Sequence, residues 1–201
     1  MASCLVVTAV LLVLITTVAT IVCFAMPNWL HFVNKQDTLC QCSATNCDCG
    51  LWISCLGGPA TSGILDNCNW FFSDNFRIEK DLPDWFKAVQ GLMSCAVASS
   101  MLALLIGLLS LCNVCKGCNA HQAAGAFANL TFLLIAVSVC VFGAKAYLDH
   151  EAEVLTKESS TGNQLIYGWG FWVAVGAGVF ALLSSVIYYC VGHASRNYDE
   201  C

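Results

Sequence analysis

A chain of 201 residues that is 58% hydrophobic and only 10% charged is not an ordinary soluble domain, in which about a quarter of the residues are charged. Its eight Lys and Arg are scattered and form no basic patch, which argues against a nucleic-acid partner. The net charge of -5 is unevenly placed, because eleven of the thirteen acids lie between Asp37 and Glu158, outside the long apolar runs.

Cys4 to Met26 is an apolar run of 23 residues without a charge, and a helix needs about 20 such residues to cross a ~30 Å hydrocarbon core. A cleaved signal peptide is the rival reading, but its apolar core is about 7–15 residues long and follows basic residues. No Lys or Arg precedes this run, so a retained first span is expected. Thr8, Thr16, Thr17 and Thr20 can return their hydroxyls to the helix backbone. Pro27 ends the helix, and Trp29 belongs at the membrane interface, where its amphipathic ring is favoured.

Residues 27–88 follow as a large polar loop holding Cys40, Cys42, Cys47, Cys49, Cys55 and Cys68. Six cysteines in so short a loop suggest a disulfide framework in an oxidising compartment. G-L-W-I-S-C from Gly50 and N-W-F-F from Asn69 are short aromatic and β-branched pieces that suit strands. Leu82 to Lys87 reads as a helix start, with Pro83 early, where its missing N–H costs little. The second span is expected over 89–111, with Ala96, Ser99, Ser100 and Gly107 small enough for close helix approach. A connection over 112–122 leads to a third span over 123–147, near whose end Lys145 can snorkel to water. A second, acid-rich polar loop over 148–164 precedes a fourth span over 165–191, which opens on the interfacial group Y-G-W-G-F-W. The tail is 192–201.

Four spans put both termini on one side of the membrane and both large loops on the other. The cysteine-rich loop needs an oxidising space, so the loops are expected outside the cell. The termini and the 112–122 connection are expected in the cytoplasm. The chain thus reads as one four-span membrane domain over 1–201.

Trp29, Gly50-Leu51-Trp52, Cys55 and Cys68 together resemble the W…G-L-W…C…C signature in the first loop of the claudin superfamily. That superfamily comprises claudins, the peripheral myelin and epithelial membrane proteins, and the calcium-channel gamma-type and glutamate-receptor auxiliary subunits. The layout of a large first loop and a smaller second loop resembles it over the whole chain, and Trp85 to Gln90 resembles the family's approach to its second span. Claudins usually carry an Arg about where Gln90 stands, and many end in Tyr-Val where this tail ends Tyr198-Asp199-Glu200-Cys201. The resemblance implies a membrane all-α four-helix transmembrane bundle with a small extracellular antiparallel β-sheet formed mainly by the first loop. It also implies a bond between Cys55 and Cys68.

Trp29, Leu51 and Trp52 are read as architecture, able to wedge the sheet onto the helix ends with one N–H to satisfy on each Trp. Cys40, Cys42, Cys47 and Cys49 have a zinc-like spacing, but beside two more cysteines outside the cell further disulfides among them are expected; four cysteines allow three pairings. Cys112, Cys115 and Cys118 have a metal-like spacing too, yet they are juxtamembrane, and with Cys190 they are candidates for palmitoylation. The acids of the first loop are either a solvated face or the lining of a cation-favouring path. Cation-selective claudins often place an acid beside the second signature Cys. Here Asp66 precedes Cys68 by two residues, with Asp48 and Asp74 as further candidates.

The four His are dispersed and have no nucleophile partner, so no enzyme, cofactor or metal centre is expected. The expected function is that of a claudin-like junction protein at the plasma membrane. It would self-associate in cis and in trans through its outer loops, contact membrane lipid, and form a paracellular barrier or a cation-leaning pore. A junctional scaffold is a candidate partner. The alternatives are an auxiliary subunit of an ion channel or receptor, and a myelin-type adhesive protein.

Overall fold

The computed structural model describes residues 2–33, 46–56, 68–72, 82–111, 120–156 and 164–199. Among the described residues there are four helices, α1 (Ala2–Ala25), α2 (Asp84–Leu111), α3 (Ala120–Thr156) and α4 (Trp169–Asp199), and five short strands, β1 (Leu30–Val33), β2 (Asn46–Cys49), β3 (Ile53–Leu56) and β4 (Cys68–Trp70) between α1 and α2, and β5 (Gln164–Tyr167) between α3 and α4. Among the described residues four stretches, Cys4–Ala25, Asp84–Leu111, Ala120–Leu148 and Trp169–His193, are long and apolar enough to cross a membrane. Large apolar side chains such as Leu11, Val18, Leu105, Leu133 and Val186 point outward from them. Such faces are stable against lipid tails, where they would be a liability in water.

The chain divides into two compact units. The first gathers Met1–Ile21, Leu92–Val137 and Ala174–Cys201. Its core is built from small residues around one large one: Ala9, Val10, Val13, Ala103, Ala124 and Ala128 surround the fully buried Tyr188. Where side chains are this small, hydroxyls reach neighbouring backbone. Thr17 donates to its own helix at Val13 (2.9 Å) and lies 3.2 Å from the Ser100 carbonyl. Ser99 donates to the Phe127 carbonyl at 3.0 Å, and Ser185 to that of Gly125 at 3.2 Å. Thr8, Thr16 and Thr20 bond the carbonyls four residues back.

The second unit gathers Val22–Gly91 and Ser138–Val173. It contains the five-stranded antiparallel sheet, in the order β4-β3-β2-β1-β5. The second polar loop therefore supplies an edge strand to a sheet otherwise made by the first, with Leu30 opposite Tyr167 and Phe32 opposite Leu165. Residues 165–167, expected within the last span, are in this strand, and α4 starts only at Trp169. The interfacial aromatics there satisfy backbone groups by strand pairing before the helix begins. A second departure is at α3, which runs through Asp149, Glu151 and Glu153 to Thr156, into the stretch expected as loop. That segment holds Ala, Glu and Leu with no Gly or Pro, so the span acts as a nucleus from which a good helix-forming sequence propagates at little cost. At the entrance to α2 the Pro83 carbonyl accepts from Phe86 (3.0 Å) and Lys87 (3.2 Å), and Asp84 faces the positive end of the helix.

Candidate functional site

The site is built around residues 26–30, where α1 gives way to β1. Pro27 cannot continue the helix, and the backbone turns so that two segments tie onto it through three hydrogen bonds. Trp29 N–H donates to the Cys49 carbonyl (3.0 Å), Gly168 N–H to the Trp29 carbonyl (2.9 Å) and Gly170 N–H to the Asn28 carbonyl (2.9 Å). Trp29 is fully buried, and its indole N–H donates to the Cys23 carbonyl at 2.7 Å. Its ring stands edge-on to Phe142 (4.9 Å) and Phe171 (6.1 Å), the offset geometry that an aromatic quadrupole prefers.

Each residue of Gly50-Leu51-Trp52 has a separate physical task in the turn between β2 and β3, which Gly50 N–H closes on the Ile53 carbonyl at 2.9 Å. Gly50 lies against the backbone of Met26 and Pro27, leaving no room for a β-carbon. Leu51 is fully buried, and its carbonyl accepts a 2.6 Å hydrogen bond from the amide of Gln90. Trp52 lies between Phe24 (5.3 Å) and Phe72 (5.5 Å), and its carbonyl accepts from Phe71 N–H at 3.0 Å. The indole N–H of Trp52 is buried with no acceptor among the described residues, which departs from the expectation that both Trp donors are satisfied.

Gln90 stands where the claudin resemblance leads one to look for an Arg, and that substitution alone hides its task. Its position is nonetheless informative, since an amide inside an apolar helix must find a partner. Gln90→Leu is expected to strip the buried Leu51 carbonyl of this donor and to cost about 1–3 kcal/mol. The change is read as a lower unfolding temperature of the purified protein in detergent; an unchanged temperature would show that the bond contributes nothing.

One row of the sheet runs His31, Asp48, Cys55 and Cys68 in direct register across four strands. Cys55 and Cys68 form a disulfide with Cα atoms 4.0 Å apart. Asp48 is 7% exposed, and its carboxylate lies 2.6 Å from Nδ1 of His31. A carboxylate so buried needs such a partner, and nothing in the sequence spacing singled out His31 for the part. Cys47 and Cys49, on the opposite face of β2, are fully buried and disulfide-bonded. Cys40, Cys42, Asp66, Asp74, Cys112, Cys115 and Cys118 lie outside the described residues. Cys190 is an exposed free thiol on α4.

On β5, Tyr167 donates its hydroxyl to the Gly143 carbonyl at 2.7 Å and stacks on Phe171 at 4.7 Å. Burial pushes its phenol above the ordinary range. Among the described residues no three His, Cys, Asp or Glu side chains come together as a metal site. The arrangement is a frame that presents a surface. Among the described strands, β4 and β5 are the edges of the sheet, and the Cys55–Cys68 bridge joins β4 to β3.

No curated protein matches the chain. The model of the PMP-22/EMP/MP20/Claudin family matches residues 1–188. Four apolar helices, an antiparallel sheet drawn from both loops and the bridged Cys55–Cys68 pair agree with that match, and the chain belongs to the PMP-22/EMP/MP20/Claudin family.

Proposed function

We propose that this chain is a claudin-like cell–cell junction protein of the plasma membrane, with cytoplasmic termini and an extracellular sheet. Copies associate side by side in one membrane and across to the apposing cell, forming a paracellular barrier with a lean towards cations. The observation that carries this reading is the pairing of β5 with β1, because it fuses the two outer loops into a single sheet in which β5 is an edge strand among the described strands. A free strand edge is a template for pairing with another chain. The disulfides support the extracellular assignment, with Cys40 and Cys42 as the partners proposed for Cys47 and Cys49; peptide mapping without reduction tests that pairing.

The cation lean rests on the acids of the first loop, which carries seven acids against three basic residues from Lys35 to Asp84. A narrow path lined by carboxylates favours cations. Asp66 and Asp74 are the proposed lining. Asp48 is buried against His31, so its contribution is to the sheet rather than to a path. Asp66→Asn is expected to lower Na+ over Cl− preference in dilution-potential measurements, and an unchanged ratio removes Asp66 from the lining.

Expression in cells lacking endogenous claudins tests the assembly itself. Enrichment where two expressing cells meet, with strands in freeze-fracture replicas, is the expected result. Uniform surface distribution with co-purification of a channel or receptor would instead support an auxiliary subunit.

A further inference from the structure

We propose that the β4 edge of the sheet is a lipid-binding surface, seated in the phospholipid headgroup layer of the membrane that the chain's own helices span. Trp70, which ends β4, and Phe72, two residues beyond it, are 54% and 55% exposed, two large aromatic groups close in sequence at this edge. Their depth follows from an aromatic ladder. Phe24 lies in the last turn of the first membrane-spanning stretch, Cys4–Ala25. Its ring centroid is 5.3 Å from that of Trp52, which is 5.5 Å from that of Phe72, so the Phe72 ring lies no more than about 11 Å from a ring at the end of a span. The polar layer on each side of a bilayer is about 5–8 Å thick, so the Phe72 ring lies within reach of headgroup depth, and Trp70 stands two residues before it in the chain. Within the same unit, Trp169 and Trp172 at the start of the fourth span are 47% and 61% exposed, the pattern of an interfacial aromatic belt.

The chemistry of the layer suits what the edge presents. Aromatic bodies pack among glycerol and upper acyl carbons, and an indole N–H finds phosphate and ester oxygens there. Trp52 adds a donor of the same kind, since its N–H is buried without an acceptor among the described residues and its ring stacks on Phe72. A small outward movement of Phe72 would open it to a headgroup oxygen. The ligand class is therefore a glycerophospholipid held at its ester and phosphate level.

The test uses the full chain in phosphatidylcholine nanodiscs loaded at one copy per disc. Tryptophan emission of the wild type is compared with that of Trp70→Phe, and the difference is the Trp70 signal. It is expected to lose most of its intensity to a lipid spin-labelled at the headgroup and to be shielded from aqueous iodide. Quenching by iodide without quenching by the labelled lipid would overturn the proposal by placing the edge in water. Shielding from both would also overturn it. So would a Trp70 signal that iodide quenches in single-copy discs and that becomes shielded only in discs with two copies, which would assign the edge to a second chain. Phe72→Ser, which keeps every tryptophan, is expected to weaken the lipid quenching of Trp70; retention of the Cys55–Cys68 bond in each variant checks that the sheet has formed.

Discussion

Ala at position 50 is expected to prevent the sheet from forming, while Ala at position 176 leaves the protein intact. A β-carbon on Gly50 would collide with the Met26 carbonyl and approach the Pro27 Cα to 2.6 Å, and both are backbone atoms. Overpacking that side chains can absorb costs about 1–3 kcal/mol. Here the neighbours are backbone held on both sides, with Met26 N–H on the Val22 carbonyl, Trp29 N–H on that of Cys49 and Gly50 N–H on that of Ile53. The expected cost is therefore about 3 kcal/mol or more, beyond that ordinary range. A β-carbon on Gly176 meets nothing within 4 Å, so Ala there gains helix propensity without a clash. Gly168→Ala, which would strike the Asn28 carbonyl, is expected to behave like Gly50→Ala. Recovery of monodisperse protein after stepwise heating in detergent separates the three. Equal recovery of the position-50 and position-176 variants would contradict the close approach that defines this turn.

Breaking the Cys55–Cys68 bond is the second change with a large expected effect. The two residues are 13 apart in sequence and directly opposed on β3 and β4. Closing a loop of that length restricts the unfolded chain by about 3 kcal/mol. β4 spans only Cys68–Trp70 and, among the described strands, pairs with β3 alone, so the bridge adds to a short pairing that is otherwise extended by the Phe71–Trp52 backbone bond. Cys55→Ser and Cys68→Ser are each expected to lower the unfolding temperature markedly, and the double variant to be no worse than either single one, since one bond is lost in all three. Additive losses would show that the two thiols act separately.

Much of this architecture is legible in the sequence because membrane spans announce themselves by length and apolarity. Trp29, Gly50-Leu51-Trp52, Cys55 and Cys68 identify the family together, where three letters alone would not. Other features depend on relations that spacing does not carry. The pairing of β5 with β1 joins residues more than a hundred positions apart. The continuation of α3 to Thr156 depends on a span that nucleates it, whereas composition alone marks the segment as polar loop. Gln90 reads as a lost Arg until its amide is seen on the Leu51 carbonyl. Asp48 reads as a free acid until the cross-strand register brings His31 beside it. In each case a polar group acquires its role from a partner chosen by tertiary structure.

Paracellular function is the central claim, and the electrical resistance of an epithelial monolayer without endogenous claudins tests it most directly. Expression of the wild-type chain is expected to change transepithelial resistance and to shift the dilution potential towards Na+ over Cl−. Both changes should be absent with Cys55→Ser. Resistance and dilution potential equal to those of untransfected cells, with the wild-type chain present at the cell surface, would contradict the account.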